Sequence, residues 1–353
     1  MKKKLSLWLA VTLSASLLLS ACGGGGGGSS DDPDSGSGNA PTAENPATII
    51  WGNYGSSAMP PYFADVDAIE YIEEKSGGAL KYQYSPDGVL GGEADMIQQV
   101  MDGTIQAVTV STSTFNPYTT LTEVFQLPFL IGDYETEYKA LTSDAAQAIF
   151  DKVGEDLGVK IVAVQENGMR HFANNVRPIT CLEDMKGLKL RIVSSNMLTE
   201  VMTNLGANPQ SVAYNDVYSA LQNKVVDGEE INLTSIYAMK HYEVLDYVSL
   251  IGMYPFPGVV VYNLDFWNSL SPEQQQIITE GHQLGTENLF NTYLPEYEEE
   301  AYAAIEEAST QINEVSEEER ERFVEVAQST WDEYYNKDPL IADFIDYVKS
   351  ISE

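Results

Sequence analysis

The sequence predicts an α/β protein of two lobes with a helical, acidic C-terminal third. Three observations carry that expectation. Strand-like and helix-like segments alternate from about residue 47 onward, the rhythm of mainly parallel or mixed sheets. The stretch 47–353 is long enough to bury a large core and suits two lobes. Toward the C-terminus the periodicity turns helical and rich in Glu, broken near Ser316, where Glu319 completes a capping box.

Taken in order, Thr48, Ile49, Ile50 and Trp51 form a short apolar strand that polar residues 52–55 end. Residues 64–75 have helical apolar spacing, stopped by Gly77 and Gly78. Residues 80–84 alternate as a strand. A helix over 91–101 carries Met96, Ile97 and Val100 on one face. A buried strand over 105–110 presents Ser111, Thr112, Ser113 and Thr114 at its carboxyl end. One long helix is expected over 134–157, then a strand over 159–164. A capping box at 180–183 and Gly187 bracket a short turn before residues 188–192. There Leu188, Leu190 and Ile192 share one face, and Lys189 and Arg191 the other. Helices over 196–205 and 215–221, a strand over 258–262 and a helix opened by Ser271, Pro272, Glu273 and Gln274 continue the pattern.

The N-terminus bears on the compartment. Lys2, Lys3 and Lys4 precede an apolar run over 5–19, which ends in Leu19-Ser20-Ala21-Cys22. A basic start, a short apolar run and small residues before a cleavage point describe a secretory signal, here 1–21, rather than a membrane span. The ending resembles the bacterial lipobox, in which the cysteine becomes the lipid-bearing N-terminus. That implies lipidation at Cys22; the alternative is an ordinary signal cleaved nearby. Residues 22–46 then read as a flexible tether, with glycines at 23–28 and a stretch rich in Ser, Gly, Asp and Pro at 29–46. The only other cysteine, Cys181, reads as a small buried side chain.

The formal charge is −34, from 53 acidic and 19 basic residues. That excludes nucleic acid as a partner, because phosphate neutralisation needs clustered Lys and Arg. It also makes any cation held in a cleft conspicuous. The histidines are His171, His241 and His282, and no zinc, thiol or nucleophile motif accompanies them. Glu229 and Glu230 are adjacent, so in a strand they face opposite ways and make a poor acid/base pair. No enzyme activity, cofactor or metal is expected; a lipid-anchored hydrolase with scattered catalytic residues is the alternative. An exported body of two α/β lobes suits ligand capture, since open sheets bind at their carboxyl ends and paired lobes close around what is bound.

An ordered set of short motifs narrows this. Met185-Lys186-Gly187-Leu188-Lys189-Leu190-Arg191 is similar to the "DLKGLKIR" signature of the DctP-type solute receptors of TRAP transporters. Residues 125–130 (FQLPFL) resemble that family's "F-x-LPF-L", residues 168–174 its "G-x-R-x-x-x-N", and residues 205–209 its "LGA-x-P". Residues 217–222 (VYSALQ) and 226–228 (VDG) continue the likeness, which covers nearly the whole body. The resemblance implies a two-lobed, periplasmic-binding-protein-like fold with discontinuous lobes and a ligand cleft between them. Lobe 1 is expected at about 47–168 plus 257–296, and lobe 2 at about 169–256 plus 297–353. A long helix spanning both lobes is expected after Ser271. The resemblance also implies a partner, the TRAP permease in the membrane, to which a small organic acid is delivered; a neutral solute is the alternative ligand.

Residue by residue, it implies that Arg191 forms the salt bridge to a ligand carboxylate. The physics agrees: a guanidinium matches both carboxylate oxygens and keeps its charge when buried. Arg170 is expected either to assist there or to form a structural ion pair between lobes. Tyr214 is expected to pack on the ligand or in the core, and Ser111 and Thr112 to donate hydrogen bonds or satisfy a turn. Asn53 and Tyr54 are weaker candidates of the same sort. The chain departs from the family's "DG-Q-E-N-P": Ile231 stands at the asparagine position and Asn232 at the proline position. On that reading a polar contact is lost or supplied by Asn232, and an apolar Ile231 disfavours heavily hydroxylated ligands.

Overall fold

The structure, a computed structural model, describes residues 40–352; the expected signal peptide, Cys22 and most of the expected tether lie outside them. Apolar β-branched and aromatic residues open a first sheet with β1 (Ala47–Asn53), where Ile49 and Trp51 are fully buried. α1 (Pro60–Lys75), β2 (Leu80–Ser85), α2 (Glu93–Met101) and β3 (Ala107–Ser111) follow. The expected long helix is two: α3 (Tyr134–Leu141) and α4 (Asp144–Leu157). The break has a local cause. Thr142 Oγ1 donates back to the Tyr138 carbonyl at 2.6 Å, and Ser143 caps α4 by accepting from Ala146 N at 3.2 Å. β4 (Val159–Glu166) completes this half.

The chain then crosses to a second sheet. It forms β5 (Arg170–Asn174), β6 (Lys189–Ile192), α5 (Asn196–Asn204), β7 (Asn208–Ser211), α6 (Val217–Gln222), β8 (Gly228–Asn232), α7 (Leu233–Ala238) and β9 (Tyr247–Leu250). It returns for β10 (Pro257–Asn263) and α8 (Leu264–Ser269). A long helix follows, built of α9 (Pro272–Asn288), a π-helical turn (Leu289–Tyr293) and α10 (Leu294–Glu307). β11 (Gln311–Glu314), α11 (Glu317–Tyr335) and α12 (Pro339–Ile351) end the fold.

The first sheet has the order β2-β1-β3-β10-β4, and the second β11-β9-β5-β8-β6-β7. Both are mixed: β1 is parallel to β2 and β3 while β10 runs antiparallel, and β5 is antiparallel to β8 and β9 while β6 is parallel to β7 and β8. α9 packs on α1 and β4, and α10 on α7, so one continuous helix serves both lobes. α9 can approach α1 closely because Gly285 has no side chain; a Cβ there would lie 2.4 Å from the Ala64 carbonyl oxygen. The sequence reading differs from the structure at two edges. α12 packs against α3 and α4 of the first lobe, although residues 297–353 are expected in the second. The folded body also begins before residue 47: Thr42 pairs with Asn45, and Gln274 donates to the Pro41 carbonyl at 2.8 Å. No described helix is long and apolar enough to cross a membrane.

Buried carboxylates tie the crossings together. Glu166 Oε1 accepts from Gly168 N at 2.6 Å and from Phe256 N at 2.9 Å, joining the outward and return segments. Tyr134 accepts from Met169 N at 2.7 Å and donates to Glu298 of α10. Gly168 sits at φ +118°, a conformation that a side chain resists, with Asn232 and Glu298 crowding the space a Cβ would fill.

Candidate ligand-binding cleft

The facing edges of the two sheets enclose a cavity lined by Tyr54, Met59 and Glu93 of the first lobe and by Arg170, Arg191, Val193, Tyr214 and Ser235 of the second. Asn167 and Phe256, from the two crossing segments, complete it. The cavity is tight, with about 10 Å³ open to the centre of a water molecule, room for roughly one water. Past Tyr54, Glu93, Arg191 and Tyr214 it continues into a groove of about 460 Å³ that Ser113, Thr114 and Asn215 also line.

Two guanidinium groups dominate the second-lobe wall. Arg170 opens β5 and is 1% exposed. Its Nε and Nη2 donate to the Glu230 carboxylate, and Nη2 also donates to the Glu230 carbonyl at 2.7 Å. Tyr254 donates to the same carboxylate at 2.7 Å, and the Phe256 ring lies 4.3 Å beneath the guanidinium. Burial pushes the Arg170 guanidinium down, but the Glu230 carboxylate outweighs it and holds it above its ordinary value. This ion pair lies within one sheet, between β5 and β8, not between lobes.

Arg191, on β6, is 2% exposed and surrounded differently. Its Nε donates to the Val212 carbonyl at 3.0 Å, and its Nη1 has no partner among the described residues. Among the described residues no carboxylate lies within 4.0 Å of it. Burial, and then the charge of Arg170, lower its affinity for its proton. Leaving a buried donor unpaired costs about 1–3 kcal/mol, and more for a charged group. Arg191 therefore keeps an unused donor in the cavity and is cationic at any physiological pH.

Tyr214 follows β7 and reaches across the cleft. Its hydroxyl donates to Ser235 Oγ at 3.3 Å, and its ring meets Tyr54 edge to face at 5.8 Å. Burial pushes its hydroxyl up to about 12, so it stays a donor. Opposite, Glu93 stands in the first turn of α2, where the helix dipole favours a carboxylate. Its Oε1 accepts from Ser111 N at 2.7 Å, Ser111 Oγ at 2.6 Å and Thr114 Oγ1 at 3.0 Å.

The other expected contacts lie outside the cavity. Ser111 is buried and serves Glu93; Thr112 is buried, its hydroxyl without a partner among the described residues. Asn53 closes a turn onto Gly55 N at 2.7 Å and donates to the buried Asp65 at 2.8 Å. Asn232 caps α7 by accepting from Ser235 N at 3.2 Å. Ile231 is wholly buried in the second lobe's apolar cluster, because alternation along β8 turns it away from Glu230 and Asn232. Buried in the core, Ile231 does not line the cavity and has no bearing on a ligand's hydroxyl groups. Sequence reasoning passed over Glu93, Phe256, Asn167 and Ser235; an acidic residue at a helix start beside a hydroxyl-rich strand end was the available signal for Glu93.

His241 Nδ1 lies 2.8 Å from Glu229, and His171 Nδ1 accepts from Ile251 N at 3.2 Å and Gly252 N at 3.1 Å, so neither faces the cavity as a base. Among the described residues no three acidic, His or Cys side chains are grouped to hold a metal.

The profile of a family described as bacterial extracellular solute-binding protein, family 7 (DctP), matches residues 62–338. The C4-dicarboxylate-binding protein DctB of Bacillus subtilis is 29% identical over 273 residues, spanning 77% of this chain and 76% of that protein. A TRAP periplasmic solute binding protein from Roseobacter denitrificans, solved with bound β-D-glucuronate, superposes with a TM-score of 0.80 at 26% identity, covering 86% of this chain and 99% of that one. Another from Shewanella oneidensis, with bound succinate, gives a TM-score of 0.81 at 25% identity, covering 87% of this chain and 100% of that one.

Proposed function

This chain belongs to the bacterial extracellular solute-binding proteins of family 7, and from that premise we propose that Arg191 is the clamp on which it captures its ligand. It is an extracytoplasmic receptor of a TRAP transporter, not an enzyme; it binds a small organic acid and delivers it to the membrane permease. One observation carries the clamp: Arg191 is buried in an interlobe cavity with Nη1 unpartnered. A carboxylate supplies the missing acceptor. Its neighbour Arg170, already neutralised by Glu230, adds donors without adding net charge.

The cavity is too tight for an organic acid as it stands, so capture requires the lobes to part at the crossings and close again. Closure excludes water, which strengthens the ion pair. Tyr54 and Tyr214 then cover the ligand from opposite lobes. We also read Leu19-Ser20-Ala21-Cys22 as the site of a lipid anchor at Cys22, leaving the body tethered outside the cytoplasm; Cys22→Ser should release the protein from the membrane fraction.

The test is a thermal-shift screen of the protein against carboxylates, run beside Arg191→Met. A ligand at 100 times its Kd adds about 2.7 kcal/mol of stability. The expected outcome is a stabilising acid whose effect vanishes in Arg191→Met. Stabilisation that persists unchanged in the variant sinks the clamp, and stabilisation by neutral solutes alone sinks the acid.

A further inference from the structure

The solved relatives hold both monocarboxylates and dicarboxylates, so likeness does not say which kind fits here. The charges around the cavity do. Its charged lining residues are Arg170, Arg191 and Glu93. The charge of Arg170 is spent on Glu230, with which it shares three hydrogen bonds. Of the two cations, Arg191 alone remains uncompensated among the described residues. The two guanidinium groups are also close enough for Arg170 to lower the proton affinity of Arg191. Neighbouring cations on one wall converge on one anion; they do not offer two separated sockets.

The opposite wall is the reverse of a second socket. Glu93 presents a carboxylate whose Oε1 is held by Ser111 and Thr114, while Oε2 accepts no hydrogen bond among the described residues. Those three donors fix the side chain against the first lobe, so it cannot swing away from an approaching anion. Lys and Arg are absent from the residues that line the adjoining groove, apart from Arg191 itself. A second ligand carboxylate therefore meets a like charge with no cation to offset it, a repulsion that a desolvated cleft magnifies. Hydroxyl groups meet an open acceptor instead.

We propose that this cleft is built for a monocarboxylic acid whose far end donates hydrogen bonds, a hydroxylated acid, and that Glu93 excludes dicarboxylates. This rests on the clamp at Arg191. The exclusion works by a repulsive element, the means by which a site rejects a ligand that its attractive contacts would accept.

The test uses matched pairs that differ only in replacing a terminal CH₂OH by a carboxylate: glycerate and tartronate, threonate and tartrate, gluconate and glucarate. Titration calorimetry on the wild type, Glu93→Gln and Arg191→Met reads all three. Glutamine keeps an oxygen for Ser111 and Thr114 but removes the charge. The expected result is at least one pair in which the monoacid binds the wild type 100-fold or more tighter than the diacid, with that ratio shrinking tenfold or more in Glu93→Gln. A diacid that binds the wild type as tightly as its partner, or a ratio unmoved by Glu93→Gln, overturns the inference. If such a diacid loses its affinity in Arg191→Met, the receptor reading stands and only the exclusion fails. If no acid in the panel binds, and none in the wider screen does, both fail together.

Discussion

Arg170 and Arg191 belong to the same sheet, with β8 between their strands, and are equally hidden from solvent. They do opposite things. Around Arg170 the protein supplies partners in full: a carboxylate, a carbonyl, a tyrosine that braces the carboxylate, and an aromatic face. Around Arg191 the protein supplies one carbonyl and then stops. Burial alone thus says nothing about the role of an arginine. What differs is whether the acceptors are already present: a satisfied guanidinium holds the fold, and an unsatisfied one keeps donors to spare.

Breaking the satisfied half has the largest effect. Arg170→Met leaves Glu230 buried without its counterion and should cost about 3–5 kcal/mol of stability, read by chemical denaturation. Adding Glu230→Leu to that variant should recover most of the loss, because replacing a whole buried pair by apolar groups is close to neutral. Arg191→Met is the sharpening experiment. Each lost hydrogen bond to the ligand carboxylate weakens binding by about 1.5–3 kcal/mol, at least tenfold in Kd by calorimetry. The ligand-free protein should be no less stable, because an unpaired buried cation has been removed. A large stability loss in Arg191→Met would erase the contrast between the two arginines.

Ile231→Asn tests whether β8 offers a third contact. With Ile231 in the core, asparagine there should lower stability by about 1–3 kcal/mol and leave Kd unchanged; a gain in affinity would place that side chain in the cleft. The smallest effect concerns the crossings. Burial raises Glu298 from 4.5 to about 7, with Glu166 adding to the rise, and Glu137 is raised by burial and by Glu166. A carboxyl that holds its proton more tightly when folded contributes stability that is complete below about 4.5 and lost as pH rises through 7. Asp133 and Tyr134 face the same cluster. Glu298→Gln should therefore flatten the fall in melting temperature between pH 5 and pH 8, changing its slope more than its level.

The first sheet is legible in the sequence because its strands carry the apolar runs that strands are expected to carry, as at β1, β3 and β10. β5 and β8 are not. Arg170 opens one, and Glu229 and Glu230 stand in the middle of the other, so neither carries the apolar run that marks a strand. Charged residues are rarely buried unless paired, and the pairing that licenses them here is an antiparallel register between segments far apart in sequence. The same limit governs the site. Arg191 and Tyr214 come from motif resemblance, while the carboxylate that answers Arg170 emerges only when β5 and β8 lie side by side. Ile231 shows the converse error: a position inherited by alignment with a motif, whose actual direction is set by alternation along its own strand. The split of the expected 134–157 helix was readable, since Thr142 and Ser143 compete for the backbone there, but apolar periodicity runs straight through them.

The π-helical turn at Leu289–Tyr293 fits one more residue into its turn than an α-helix does. In the long helix, that surplus acts as a phase setting. Deleting one residue within that turn would restore regular winding and leave everything beyond it in phase, whereas a deletion in the α-helical stretches on either side would rotate the remainder by about 100°. After a deletion in α9, Ala301 and Ile305 would turn out of the second lobe's core, and Glu298 away from Tyr134. The π-helical turn is therefore where this helix tolerates a one-residue change in length, while the regular winding on either side, tied to both lobes, does not.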